Sequence, residues 1–243
     1  MITVALFVFP MRCSCFERCR SRLFHRTERE VVMSSPPDAE AVFATAINEH
    51  LNVVSQVREP QPVLQAIARA MSATVSCGGK VLRCGNGGSA ADPQHLATEL
   101  VGRFRRERRG LASIALTTDT SILTAIGNDY GYNPVFCRQV EALGTVGDVL
   151  AGISTSGNSR NVVAALDLAH AQGMITVAFT DAGGGEMGGI VDHLFAVSSH
   201  DTARIQEAHI LAGHMLCDWI ELDAMAAQPA LTKKVEQIDR TTP

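Results

Sequence analysis

Five apolar runs, "KVLRC" (80–84), "LASIALTT" (111–118), "DVLAGIS" (148–154), "MITVAFT" (174–180) and "HLFAVSS" (193–199), lack the polar alternation of a half-exposed strand. A strand apolar on both faces must be covered on both, as in a parallel sheet between two helical layers. The intervening segments carry the spacing those layers need. Helical periodicity is predicted over 120–127, 133–144, about 158–172 and about 202–224, and two further helices, 39–57 and about 62–76, precede the first run. The alternation predicts a doubly wound α/β fold. In such sheets ligands gather beyond the carboxyl ends of the strands, where strand order switches. Three glycine- or serine-rich strand ends fall there: "CGNGGS", "GISTSGNS" and "TDAGGGE".

A chain of 243 residues is long enough for one sizeable core. Its net charge of −4 supplies no basic field that would hold a nucleic acid by its phosphates, so small-molecule chemistry is expected. The N-terminal apolar run, "MITVALFVFP", precedes its arginines, the reverse of a secretory signal, and is too short to span a bilayer. Met33, followed by "SSPPD", reads as a more natural chain start, so residues 1–37 are expected to be a misassigned or disordered extension and 227–243 a flexible tail. The seven cysteines have no regular spacing, which argues against a disulfide framework. Cys77, Cys84, Cys137 and Cys217 read as reduced core residues of a cytoplasmic protein. Cys13, Cys15 and Cys19 have no second Cys/His pair at zinc spacing nearby.

"GISTSGNSRN" ends an apolar run and opens a helix, offering the hydroxyls of Ser154, Thr155, Ser156 and Ser159 beside free first-turn amides. Converging donors at the positive end of a helix dipole make an anion site, for which a phosphate is the natural guest. One capping serine with incidental neighbours is the plainer alternative. The loop lacks the lysine of a nucleoside-triphosphate cradle. "CGNGGSAAD" is a second strand-to-helix turn, where Gly87 and Gly88 permit close backbone approach and Asn86 and Ser89 can reach a polar ligand. Together the two loops suggest a phosphosugar held at both ends.

His95 and Glu99 stand four positions apart and share a helix face, which suits a metal, a base, or a plain exposed ion pair. The late segment "RIQEAHILAGHMLCDW" adds Gln206, Glu207, His209 and His214 to an otherwise apolar helix. Ideal geometry places Glu207 and Asp218 near the face of His214, Gln206 about 80° away and His209 roughly opposite. Pro93 is comfortable in a first helical turn, so Asp92 is expected to cap that helix, leaving Ser89 in the turn.

From about residue 38 to 224 the chain resembles the sugar isomerase (SIS) domains of the phosphoheptose isomerase family. The resemblance is carried by "GNGGSAAD", "QHLATELVGRF", "TAIGNDYGY", "GDVLAGISTSGNS" and "ARIQEAHILAGH". It implies a flavodoxin-like three-layer α-β-α sandwich over 38–226, with a doubly wound five-stranded parallel sheet and N-terminal helices used in assembly. It also implies conversion of sedoheptulose 7-phosphate to D-glycero-D-manno-heptose 7-phosphate, toward the heptose of bacterial lipopolysaccharide.

Carried over by position, the resemblance makes Asn86, Gly87 and Gly88 substrate contacts, with Asn128 and Asp129 contributing, and gives the phosphate to Ser154, Thr155, Ser156 and Ser159. Ser89 joins the substrate set from the turn reading. His95, Glu99, Gln206 and His214 become a metal site, zinc in many members, with Glu99 and Gln206 also touching substrate. Glu99 is expected to be the base and His214 the acid. The family assembles as homotetramers through its N-terminal helices. The apolar stripe on 39–57 fits that role or an intramolecular core equally. The rival reading is a non-catalytic SIS-domain adaptor that binds the bacterial replication initiator, a branch lacking the acid/base pair. A sugar-phosphate-sensing regulator would need a DNA-binding module, which is not seen beside the domain.

Overall fold

The computed structural model describes residues 38–226. The expected N-terminal extension and C-terminal tail lie outside them. From Glu40 onward the described residues belong to one compact unit. Two helices, α1 (Ala39–Gln56) and α2 (Gln61–Ser76), lead into an alternation of strands and helices. It runs β1 (Val81–Gly85), α3 (Gly88–Val101), β2 (Ser113–Ala115), α4 (Thr120–Tyr130), α5 (Cys137–Leu143), β3 (Val149–Ile153), α6 (Arg160–Ala171), β4 (Ile175–Asp181), β5 (His193–Val197) and α7 (Thr202–Ala226). The five strands are all parallel in the order β2-β1-β3-β4-β5, so the predicted doubly wound sheet is present and its order switches between β1 and β3.

Apolar runs on both faces are explained by two cores. Val149, Ala151 and Ile153 face one layer, with α2, α3 and α7, while Leu150 faces the other, with α5 and α6. The edge strand β2 is only three residues long, although the apolar run around it is longer; it pairs with β1 alone. Cys84 and Cys217 are core residues and all four described cysteines are free, but Cys77 departs from expectation. It lies exposed where α2 ends and its backbone caps the helix.

The start of α3 also departs from expectation. Gly87, at φ 55°, occupies a conformation that disfavours side chains and turns the chain straight from the strand into a helix beginning at Gly88. Pro93 is therefore interior rather than first, and Asp92 is not the cap. Ser89 is buried in the first turn instead of standing in the loop. Pro93, in the second turn, has no N–H to offer the Ser89 carbonyl four residues back, so the helix ladder lacks one bond there.

Candidate active site

The two loops flanking the switch point meet. Asn86, following β1, and Asn161, in the first turn of α6, exchange amide hydrogen bonds in both directions at 2.8 and 2.9 Å. Asn161 is buried, and only the run of polar residues ending "GNSRN" signalled it. In the serine loop the hydroxyls of Ser154 and Ser159 lie 2.9 Å apart, and Ser156 Oγ accepts from the backbone N–H of Asn158. Ser159 is the N-cap of α6, yet its side chain makes no cap hydrogen bond to the first turn. Its hydroxyl turns toward Ser154, so plain capping does not account for it. Thr155 is half-buried and its carbonyl accepts from the Asp181 N–H. The third glycine-rich end is more than a flexible turn: Gly157, at φ 66°, packs so closely on Gly184 that a Cβ there would stand 2.2 Å from the Gly184 carbonyl oxygen.

Helices α3 and α7 supply the other half. A Cβ on Gly213 would stand 2.5 Å from Leu96, so the two helices touch at that glycine. The contact row along α7 is thus centred on Gly213, from which Gln206 lies only about 20° away. Gln206 accordingly faces α3: its side chain lies over Gly88 and its Nε2 stands 3.4 Å from Ser89 Oγ. Glu207, which ideal geometry referred to His214 had favoured, is not at the site. It pairs with His50 of α1 at 2.7 Å and accepts from Arg204 at 2.8 Å. Asp218 likewise turns to Arg105 and Arg106. His209 is roughly opposite, as expected, boxed between Phe179 and Phe195.

His95 and His214, 119 positions apart, bring their Nε2 atoms to 2.9 Å, and Glu99 Oε1 lies 3.4 Å from His95 Nε2. One ligand atom from each of the three fits within 4.8 Å of the others, so the trio could hold a metal ion. Two imidazole nitrogens and a carboxylate oxygen are a donor set such an ion accepts. Glu99 is sheltered, its side chain 16% exposed against 51% for His95, and His214 is half-buried as well. Burial lowers the His214 pKa, the His95 ring and the Arg105 charge lower it further, and Glu99 opposes them. A neutral His214 still carries one N–H to donate. The Phe104 ring stacks on His214 at 5.4 Å between centroids, a contact that no sequence motif announced.

Asn128 and Asp129 are not drawn into this arrangement. They sit exposed at the end of α4, with Asn128 Nδ2 donating to Asp129 Oδ1 at 2.8 Å.

The SIS domain model matches residues 43–181. The phosphoheptose isomerase of Roseiflexus sp. (strain RS-1) is 54% identical over 191 residues, 78% of this chain and 97% of the relative. The chain belongs to the phosphoheptose isomerase family of SIS domains. A solved phosphoheptose isomerase from Neisseria gonorrhoeae superposes with a TM-score of 0.72 at 44% identity, covering 76% of this chain and all of that one. One from Francisella tularensis gives 0.74 at 36% identity with the same 76% coverage of this chain.

Proposed function

We propose that the protein is an aldose-ketose isomerase that converts sedoheptulose 7-phosphate to D-glycero-D-manno-heptose 7-phosphate. The observation that carries this reading is the convergence of Glu99 with His214 beside His95, across helices distant in sequence, in a chain 54% identical to a named phosphoheptose isomerase. The adaptor reading is disfavoured by the same pair, which a pure binding module has no need to assemble.

Moving a carbonyl between C2 and C1 requires a base to take a proton from the carbon beside it and an acid to serve the oxygens, through an enediol. Glu99 is the base, a role supported by its shelter and by its 3.4 Å approach to His95. His214 is the acid, its neutral ring donating to the carbonyl oxygen as the enediol forms and recovering the proton when the new carbonyl closes. Ser154, Thr155, Ser156 and Ser159 hold the phosphate at the head of α6. Asn86, Gly87 and Gly88 position the sugar hydroxyls, with Glu99 and Gln206 as further contacts; Ser89, buried in the first turn, stands behind Gln206, and Asn128 and Asp129, exposed on α4, are assigned as contacts by the family resemblance alone.

His95, Glu99, Gln206 and His214 would hold a zinc ion, which when bound would polarise the substrate carbonyl or fix the geometry of the site. Gln206 reaches Ser89, next to the glycine turn, which supports its role as a substrate contact. A homotetramer is proposed as well, since α1 leaves Phe43 66%, Ile47 59% and Leu51 60% exposed along one stripe. Apolar area of that extent usually marks an interface. The setting is cytoplasmic, consistent with free cysteines, and no described helix is long and apolar enough to cross a membrane.

The direct test is incubation of the purified protein with sedoheptulose 7-phosphate while following the aldose. Turnover in the wild type that is lost in Glu99→Gln and in His214→Ala is expected. An intact, correctly assembled wild type without turnover would return the protein to the adaptor class. Elemental analysis without zinc, with activity indifferent to chelators, would remove the metal and leave the acid/base roles.

A further inference from the structure

Residues 102–110, "GRFRRERRG", look from the sequence like a solvated basic run. In the fold they form a loop fastened from beneath. Glu221 of α7 is fully buried and its carboxylate accepts backbone N–H bonds from Phe104 at 3.0 Å, Arg105 at 2.9 Å and Arg106 at 2.9 Å. Three successive amides aimed at one anion form a concave receptor, here filled by a side chain of the protein itself.

Arg108 fastens the far end. Its guanidinium donates to the carbonyls of Glu99, Leu100 and Gly102, the open C-terminus of α3, and lies 3.5 Å from Glu221. A cation on those carbonyls satisfies orphan acceptors and complements the helix dipole. Asp218, one turn from His214, adds hydrogen bonds to Arg105 at 3.3 Å and Arg106 at 2.6 Å.

All of this fixes one residue that faces the candidate site. Phe104 lies with its ring 14° from parallel to His214, and the Arg105 guanidinium stands 4.9 Å from the Phe104 ring. A stack of that kind limits which way the imidazole can turn. Taking His214 as the acid of the isomerase proposed above, we infer that Glu221 is a positioning residue: by clamping the amides of 104–106 it holds Phe104 against His214 and so aims the imidazole at the site. Glu221 bonds to the loop, through the amides of 104–106 and the guanidinium groups of Arg106 and Arg108, and not to Glu99 or His214. It acts through the loop, and the Arg108 contact to the Glu99 carbonyl ties the same clamp to the helix that carries the base.

The test is a double-mutant cycle on the full-length protein with Glu221→Gln, Phe104→Ala and the pair, folding being checked by circular dichroism. Two readouts are followed: solvent exchange of the His214 ring C2 proton by mass spectrometry, and kcat and KM for aldose formation. The ring exchange needs no substrate, so it still reports if the isomerase reading fails. Each single variant is expected to speed His214 exchange at least ~3-fold and to lower kcat ~10-fold or more with KM nearly unchanged, the range seen when supporting contacts of a site are removed. The pair is expected to be no worse than Phe104→Ala alone, because the two residues act in series. Phe104→Tyr, which keeps the stacking face, restores both readouts. If Glu221→Gln does not fold, Glu221→Asp, which keeps the charge and withdraws it by one methylene, takes its place with the same expectations. Wild-type exchange at His214 in the folded Glu221 variant, or fully additive losses in the pair, overturns the inference.

Discussion

Residues 154–159 hold themselves, Ser154 meeting Ser159 and Asn158 folding onto Ser156, whereas the His95, Glu99 and His214 cluster exists only because α3 and α7 press together at Gly213. Contacts within six residues of each other form whenever the local strand-to-helix turn forms. Contacts across 119 residues depend on a helix pair packing in one rotation and no other. The serine loop should therefore behave as a binding element that tolerates side-chain loss. The helical cluster should behave as a chemical element that tolerates none.

Substitution within each region separates the two. Glu99→Gln keeps the shape of the side chain and removes the base, so kcat should fall ~10³-fold with KM little changed, within the range general bases supply. Ser156→Ala should instead raise KM ~10-fold at nearly constant kcat, since a hydrogen bond to a charged group contributes ~1.5–3 kcal/mol and the remaining donors still hold the phosphate. Steady-state kinetics on both variants decides. A serine variant that lowers kcat and spares KM breaks the division between the loops.

The loop's self-sufficiency has a limit at Gly157. Alanine there meets a positive φ and the Gly184 carbonyl at 2.2 Å, a backbone atom that cannot step aside without moving the 183–185 turn. Strain of this kind, added to overpacking, should cost ~3 kcal/mol or more. Urea denaturation of Gly157→Ala against wild type measures it, and an unchanged midpoint would mean the two glycine-rich turns do not rely on each other.

On the helical side, α7 carries a cost the loop does not. His209 donates from Nε2 to the Thr180 carbonyl at 3.1 Å, leaving Nδ1 buried with no partner. Burial pushes its pKa down from 6.5 to about 4. The unfolded chain thus binds this proton more readily than the native one, so native stability is intact above pH 6.5 and erodes as pH falls toward 4. The full loss from this group is ~3 kcal/mol. Thermal melts from pH 7 to about pH 4 should show that slope in wild type and a flatter one in His209→Gln.

What was legible in the chain follows the same division. The apolar runs revealed the sheet because both faces of each strand are covered, and the serine loop was readable because its residues are consecutive. The start of α3 was misread because Pro93 is a conspicuous helix-start signal, while the turn at Gly87 depends on a backbone angle that glycine permits without announcing it. The Phe104 and Glu221 contact had no signal at all, since a buried carboxylate on a helix and a basic loop look unrelated until they meet. Resemblance to a family proposed Gln206 for the site where geometry referred to His214 favoured Glu207, and in the fold Gln206 is the one that faces Gly88 and Ser89. An angular wheel needs an origin, and the origin is the residue that touches the partner helix, Gly213, rather than the residue that carries the chemistry.

That choice of origin supports the smallest effect expected here. With Gly213 as reference, Gln206 faces Ser89 while Glu207 faces α1, where it pairs with His50. Both partners of that pair are open to solvent, with side chains 43% and 37% exposed, so the pair is screened and contributes ~0.2–1 kcal/mol. Glu207→Gln should leave kcat and KM within ~2-fold of wild type and lower stability by less than ~1 kcal/mol. Gln206→Ala, one position away, should impair catalysis. Were the two variants to exchange these phenotypes, α7 would have to present its faces with His214 as the centre of contact, and the packing of Gly213 on Leu96 would no longer explain how the site is assembled.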